Sequence, residues 1–350
     1  MPDRDKIITA FSELGKVLRS AGNGPVASPE EKKLNQLIET VQQYNGWFTP
    51  AFVKNALNAL GESLQKEKPE KWMKPYKNQL SQSGSPKTVA VIMAGNVPAV
   101  GFHDFLSVLI SGHNILAKLS SDDDKLLPAI ADILIKIEPL FAERIGFTGE
   151  QIKNFDAVIA TGSNNTSRYF EYYFGKYPNI IRRNRNGVAV VNGSETEEEL
   201  NALADDVFMY YGLGCRNVAR IFVPAGYDFT MLQDVFAKRK EIIENSKYFN
   251  NYEYNKAIFL VNGTKHFDTG NLLMTEKDSF SSPVSVLHYS YYQDENAINN
   301  ELMLNSNQIQ CVASNMPAIN NKTPLGKTQS PELWDYADGI DTIKFLLSIG

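Results

Sequence analysis

Apolar positions change their spacing near residue 85. Up to about residue 80 they recur at helical intervals among many polar residues, as in Ile7, Ile8, Phe11, Leu14 and Leu18. That pattern predicts amphipathic helices packed on one face. Ser81-Gln82-Ser83-Gly84-Ser85-Pro86 then reads as a turn-rich joint. Beyond it, residues 88–94 form a short apolar run rich in β-branched side chains, closed by Gly95-Asn96-Val97-Pro98. Such a run is a buried strand that ends in a loop. A helix over 101–111, a strand over 115–119, a helix over 125–142 and a strand over 155–160 follow, the last closed by Thr161-Gly162-Ser163. Strands alternating with helices of this length predict βαβ units and a parallel sheet, hence an α/β fold. Ligands of such sheets sit at the carboxyl ends of the strands. Asn96, Lys118 and Gly162 fall there.

Two further strands are expected near 180–181 and over 188–191. Thr196-Glu197-Glu198-Glu199 is a capping box that opens a helix running through Tyr210. The loop Gly212-Leu213-Gly214-Cys215-Arg216-Asn217 comes next, with a short helical turn over 216–220 and a strand over 219–223 behind it. More strands are expected over 257–261 and 284–289. No internal repeat or low-complexity segment stands out.

A chain of 350 residues has room for two domains. With 43% hydrophobic and 21% charged residues, it has the composition of a soluble globular protein. A net charge of -5 argues against nucleic acid as the main partner. The best apolar run, residues 97–110, is broken by His103 and Asp104, so no integral membrane segment is expected. The N-terminus, Met-Pro-Asp-Arg-Asp-Lys, has no apolar stretch behind it and does not read as a secretory signal. Two cysteines, Cys215 and Cys311, make no disulfide framework, and a reducing cytoplasm is the expected setting. His103, His113, His266 and His288 lack metal-ligand spacing, so no metal site is expected.

Cys215 is the sharpest chemical signal, because it follows two turn glycines and precedes Arg216. Neighbouring positive charge or a helix N-terminus favours the reactive thiolate. On local sequence alone, a buried packing cysteine remains the alternative. Asn96 can offer an amide donor to a developing oxyanion, or can be a plain turn residue before Pro98. Lys118, followed by Ser120 and Ser121, can hold a ribose or a phosphate, or can be a surface lysine. Gly162-Ser163 opens a helix, where backbone N–H groups meet anions, although no full Gly-x-Gly-x-x-Gly pattern is present. The run Asp122-Asp123-Asp124 reads as a solvated helix N-terminus. Arg182, Arg183 and Arg185 read as a small basic cluster, for surface salt bridges or for phosphate recognition.

In this order the pieces resemble the aldehyde dehydrogenase superfamily. Gly95-Asn96-Val97-Pro98 is similar to its Trp-Asn-Phe-Pro loop, which implies that Asn96 is the oxyanion asparagine. Gly112-His113-Asn114 through Lys118-Leu119-Ser120-Ser121 is similar to its Ala-Gly-Asn…Lys-Pro-Ser-Glu segment, which places Lys118, Ser120 and Ser121 with the cofactor ribose. Thr161-Gly162-Ser163 resembles its Phe-Thr-Gly-Ser turn, a further cofactor contact. Gly212-Leu213-Gly214-Cys215 with residues 219–223 resembles its Gly-Gln-x-Cys loop and following strand, making Cys215 the nucleophile. Ser282-Pro283-Val284 resembles the end of its Glu-x-Phe-Gly-Pro-Val segment. The tail narrows the likeness to LuxC-type acyl-CoA reductases, through residues 307–312, Gln329-Ser330-Pro331-Glu332-Leu333 and residues 335–342.

The resemblance implies a Rossmann-type parallel-sheet domain plus a smaller α/β catalytic domain. The expected division is an N-terminal helical region over 1–85, a cofactor domain over 86–193, a catalytic domain over 194–325 and a C-terminal segment over 326–350. It implies reduction of a fatty acyl-CoA or acyl-carrier thioester to the aldehyde with NADPH, NADH being the alternative. An acyl-transfer partner and a homo-oligomer are implied in the same way.

The departures matter too. The stretch that matches the hydrolytic family's Glu-Leu-Gly-Gly-Lys is Arg182-Arg183-Asn184-Arg185-Asn186, without a carboxylate. Lacking that base, water attack on an acyl-enzyme loses help worth roughly a hundredfold or more. Ser279, beside Asp278, stands where the family has the Glu of Glu-x-Phe-Gly-Pro. Ser121 replaces a glutamate that would repel a 2′-phosphate, which permits NADPH. A hydrolytic aldehyde dehydrogenase and a non-catalytic acyl-carrier-docking subunit are the competing readings.

Overall fold

The computed structural model describes residues 4–22, 24, 28–81 and 84–350. Residues 1–3 of the N-terminal stretch and residues 82 and 83 of the turn-rich joint lie outside them. The chain forms two compact units. The first takes the residues up to Arg183 and regains the chain at Glu332–Gly350; the second is Asn184–Pro331.

The first unit opens with helices α1 (Arg4–Ser20), α2 (Pro29–Thr40), α3 (Pro50–Ser63), α4 (Glu67–Met73) and α5 (Lys77–Ser81). Ser28 and Thr49 cap α2 and α3 with side-chain oxygens, and each helix has proline in its first turn. The helical spacing seen in α1 has its physical counterpart in packing, since Ile7, Phe11, Leu14 and Leu18 are buried in the main core. Strands β1 (Thr88–Ile92), β2 (Asn114–Lys118), β3 (Ile145–Thr148), β4 (Ala157–Thr161) and β5 (Asn179–Arg182) form one sheet in the order β3-β2-β1-β4-β5. Every neighbouring pair is parallel. That order, growing outward from β1 on both sides, is the doubly wound arrangement, with its switch point between β1 and β4. Helix α6 (Phe102–Ile110) is apolar nearly all round and almost wholly buried, while α7 (Leu126–Ile137) also packs in the main core. Helix α8 (Asn164–Phe174) follows β4 directly.

In the second unit, β6 (Asn186–Val190), β7 (Val218–Pro224), β8 (Phe267–Asp268), β9 (Leu273–Glu276), β10 (Val286–Tyr292), β11 (Ile309–Ala313) and β12 (Lys322–Thr323) form a sheet in the order β12-β11-β6-β7-β10-β9-β8. Only the β8–β9 pair is antiparallel. Helix α9 (Glu197–Phe208) starts at Thr196 with the full capping box, as its sequence requires. Helices α10 (Thr230–Ala237), α11 (Ser246–Asn262) and α12 (Glu295–Leu304) complete the unit. Residues 257–261 are a correction: they lie inside α11, not in a strand. Their run of Ala-Ile-Phe-Leu-Val favours a strand locally, but Asn245 caps the helix at one end and Gly263, left-handed at φ 61°, stops it at the other.

Of the C-terminal segment, residues 326–331 belong to the second unit and Glu332–Gly350 to the first, where α13 (Thr342–Ser348) packs on α6. Asp104 of α6 and Arg182 of β5 meet beneath it as a buried bidentate pair, 6% and 4% exposed. The same guanidinium donates to Thr342 Oγ1 at 3.1 Å. His113 adds a second tie. Its Nδ1 accepts from the Lys87 N–H, which leaves Nε2 to donate to the Leu346 carbonyl at 2.9 Å. Burial holds this imidazole below its ordinary pKa. No helix among the described residues is long and apolar enough to cross a membrane.

Candidate active site

In the first unit the candidate cofactor residues share one edge of the sheet. Register places Ile92 opposite Lys118 on one side and opposite Ala160 on the other. The loops that leave β1, β2 and β4 therefore emerge together, carrying Asn96, then Ser120 and Ser121, then Thr161, Gly162 and Ser163. Asn96, Ser121 and Ser163 are exposed there, while Lys118, Ser120, Thr161 and Gly162 are partly buried.

Gly95 allows the first two loops to touch, because a Cβ there would lie 2.7 Å from Ser120 Cβ and Oγ. Asp123 binds them together. Its Oδ2 accepts from the N–H of Ala99, a left-handed residue at φ 53°, and its Oδ1 accepts from the N–H of Leu126 at the start of α7. The Asp122 carbonyl in turn accepts from the Asn45 side chain at 3.0 Å. Asp123 is thus buried and structural, contrary to the reading of 122–124 as a solvated run. Burial pushes its carboxyl up to about 6.

The raised value has a sign. Since the folded carboxyl binds its proton more tightly than the unfolded one, its contribution to stability is full below pH 4 and is lost as pH rises towards 6. Asp123→Asn does not titrate, so its cost relative to the native chain should shrink by about 2 kcal/mol between pH 4 and pH 7. Urea melts at the two pH values check this; an unchanged gap would mean an ordinary carboxyl.

Lys118 donates from Nζ to the carbonyls of Gly149 and Glu150, at 3.1 and 2.9 Å, which uses two of its three N–H bonds. Ser163 caps α8, its oxygen accepting from the Thr166 N–H at 3.2 Å. On one sheet edge, Lys118 could hold the ribose of a dinucleotide and the N-terminus of the eleven-residue α8 its diphosphate.

The three arginines do not form a cluster. Arg182 is buried on Asp104, Arg183 pairs with Glu171 at 2.6 Å, and Arg185 donates to the Ser306 carbonyl at 3.1 Å. Sequence neighbours along an extended segment point to different faces, which adjacency alone conceals.

In the second unit, Cys215 lies in the turn between α9 and β7 and is partly exposed. No helix follows it; β7 begins at Val218, so the expected helix N-terminus behind the thiol is absent. Residues 218–224 are apolar and β-branched enough to continue as a buried central strand. The Asn217 N–H donates to the Gly214 carbonyl at 3.1 Å, which puts Cys215 and Arg216 at the corner of a β-turn. The chain approaches it through Tyr210, Tyr211 and Gly212, all left-handed at φ 52°, 58° and 74°. Two left-handed tyrosines cost about 1–2 kcal/mol each, and such residues persist where their surroundings over-determine them. The sequence offers no sign of them, since Tyr210 reads as the end of a helix.

Three contacts grip this turn. The Asn217 side chain accepts from the Gly214 N–H and donates to the Asp206 and Met209 carbonyls. Gly187 of β6 lies so close that a Cβ would meet the Arg216 and Asn217 carbonyl oxygens at 2.6 and 2.8 Å. The Cys311 thiol leans on the Arg216 carbonyl at 3.6 Å. Cys311 is buried, and burial pushes its thiol up to about 12. A neutral alkylating reagent at pH 8 should therefore modify Cys215 well before Cys311, as peptide mass spectrometry would show; the reverse order would remove the distinction between them.

Asp278, the acidic neighbour of Ser279, pairs with Arg220 at 2.9 Å. That guanidinium is buried, also bonds Ser290 and Glu301, and stacks on Phe222 and Phe280 with ring centroids at 4.3 and 4.9 Å. Ser279 itself bonds within its own loop, to the Ser281 carbonyl.

A doubly wound parallel sheet in one unit, and a mostly parallel sheet bearing a turn-borne cysteine in the other, make an α/β fold of the aldehyde dehydrogenase kind. Its fold is similar to that of aldehyde dehydrogenase 21 from Physcomitrella patens, solved with its product succinate: TM-score 0.65, 12% identity, covering 99% of this chain and 87% of that one. A mutant of the P. syringae indole-3-acetaldehyde dehydrogenase AldA, in complex with NAD+ and IAA, gives a TM-score of 0.58 at 13% identity, covering 91% and 74%. An NADP dependent enzyme from E. coli gives 0.56 at 14%, covering 84% and 74%. None of the curated proteins matches the chain. The family model for acyl-CoA reductase (LuxC) matches residues 30–241, and the chain belongs to that family.

Proposed function

We propose that this protein reduces an acyl-CoA, or an acyl group on a carrier, to the aldehyde with NADPH, through a thioester on Cys215. The observation that carries the proposal is the partly exposed Cys215 at the corner of a braced turn, in a chain of the acyl-CoA reductase family. Its sequence partner Cys311 is buried and held protonated.

In this reading the Cys215 thiolate adds to the thioester carbonyl, the carbon–sulfur bond to the carrier breaks, and the carrier thiolate leaves with a proton from solvent. Exchange of one thioester for another is close to balanced, so the gain lies in splitting one hard step into two. The Cys215 N–H is a proposed donor to the tetrahedral oxyanion, and on the family likeness alone Asn96 is proposed as the oxyanion asparagine. NADPH, when bound, supplies the hydride that the acyl carbonyl needs. Lys118, Ser120 and Ser121 would hold its ribose side, and Thr161, Gly162 and Ser163 its diphosphate side. After reduction Cys215 expels the aldehyde and returns to the thiolate.

Ser121 supports the preference for NADPH, since no carboxylate stands at that position to repel a 2′-phosphate. Homo-oligomer formation and delivery of the acyl group by a transfer partner belong to the same proposal, on the family likeness alone.

The test is incubation of the full chain with acyl-CoAs of graded length and either NADPH or NADH. Aldehyde and free CoA should appear in equal amounts as the reduced cofactor disappears. Acid formed from aldehyde and oxidised cofactor, without CoA, would instead favour a hydrolytic dehydrogenase. Failure to bind either cofactor by calorimetry would favour a docking subunit.

A further inference from the structure

Beside the proposed nucleophile, Asn217 is a buried polar side chain that the proposed chemistry does not use. Asn217 is 2% exposed, yet both its amide hydrogens and its oxygen are engaged, at 2.8 Å from the Gly214 N–H, 3.2 Å to the Asp206 carbonyl and 2.7 Å to the Met209 carbonyl. We infer that Asn217 is a positioning residue for acyl transfer: it clamps the cysteine turn to the end of α9 and so sets the thiol and N–H of Cys215. The inference rests on Cys215 being the nucleophile.

The last carbonyls of a helix lack partners within it, and α9 ends at Phe208. Asn217 supplies donors to two of the carbonyls at this end, while its oxygen takes the first N–H of the turn. Between the two anchor points the chain passes through the three left-handed residues at 210–212. Left-handed tyrosines persist where their surroundings over-determine them, and this side chain fixes the two ends of their segment together. No other small side chain can replace it: aspartate offers acceptors only, while serine has a single hydroxyl proton. Asp206 extends the brace. Its carboxylate accepts from the N–H groups of Gly326 and Thr328, at 2.7 and 3.0 Å, which ties the same end of α9 to the 324–328 loop.

Displacement of a nucleophile by about an ångström costs about a hundredfold in rate. A helix cap alone would lower stability and leave the rate untouched, whereas a positioning residue lowers the rate at unchanged affinity.

The experiment compares Asn217→Ala and Asn217→Asp with the native full-length chain. Decanoyl-CoA is added without reductant, and acyl mass on Cys215 is followed in time, with iodoacetamide labelling and NADPH affinity measured alongside. Both variants should acylate about a hundredfold more slowly. The decanoyl-CoA dependence, the NADPH affinity and the iodoacetamide rate should stay within about threefold of native, well short of that loss. Native-rate acylation in either folded variant, or a loss fully recovered by more decanoyl-CoA, overturns the role. If the alanine chain does not fold, the nearly isosteric Asn217→Asp carries the test. Cys215→Ala is run beside them. Acylation by Cys215→Ala would sink the nucleophile reading itself, whereas an inert Cys215→Ala beside a fast Asn217 variant sinks the positioning role alone.

Discussion

Cys215→Ala should lose acyl-CoA reduction by about ten-thousandfold or more while keeping its fold and its affinity for NADPH. The magnitude follows from nucleophile deletions in covalent catalysis, where what remains comes from binding and the oxyanion donors. The selectivity follows from the division of the chain. Cys215 belongs to Asn184–Pro331, whereas Lys118 and the 161–163 turn belong to the unit that ends at Arg183. Removing a partly exposed sulfur opens no sizeable cavity, so the melting curve should barely move. Calorimetric titration with NADPH and a turnover assay on one preparation measure both halves of the prediction. Appreciable turnover by the alanine chain would end the covalent scheme, and loss of cofactor binding would contradict the division of labour.

The second large effect is on stability. Asp104→Ala removes the bidentate carboxylate from the buried Arg182 guanidinium, which keeps its bond to Thr342 Oγ1. Breaking a buried pair from one side costs about 3–5 kcal/mol. For a unit of this size that lowers Tm by on the order of 6–20 °C. Because Thr342 opens α13, the loss should spread to the C-terminal segment and expose it early to proteolysis. The paired replacement Asp104→Leu with Arg182→Met should recover much of the loss, since an apolar pair avoids the desolvation cost altogether. Scanning calorimetry of the three chains decides it, and a loss under 1 kcal/mol for Asp104→Ala would show that the pair is inert.

Local pattern carries the central strands because they are short, apolar and bounded by turns. Thr88–Ile92, Ala157–Thr161 and Val218–Pro224 have no other stable place than a buried sheet. Ile145–Thr148 escapes notice because Ile-Gly-Phe-Thr is only four residues long and contains glycine. The carboxyl edge is legible for the same reason as the strands, since parallel pairing forces Asn96, Lys118 and Gly162 to one side.

What local pattern omits are the partners. Nothing near Asp123 in sequence announces the N–H of Ala99, and nothing near Arg182 announces Asp104, which is 78 residues away. The sequence therefore reads Asp123 as part of a solvated helix N-terminus and Arg182 as part of a basic cluster for surface salt bridges or phosphate recognition. The turn at Cys215 shows the same limit. Its glycines and cysteine are visible in sequence, whereas the left-handed tyrosines before it and the amide of Asn217 that secures it depend on where α9 ends.

The central claim is that an acyl group rests on Cys215. The full chain should be mixed with decanoyl-CoA in the absence of any nicotinamide, quenched in acid and digested, and each cysteine peptide weighed. A decanoyl increment on the Cys215 peptide, with none on that of Cys311 and its disappearance on addition of NADPH together with decanal, is the predicted result. An unmodified Cys215 under conditions that still yield decanal once NADPH is added would contradict the account.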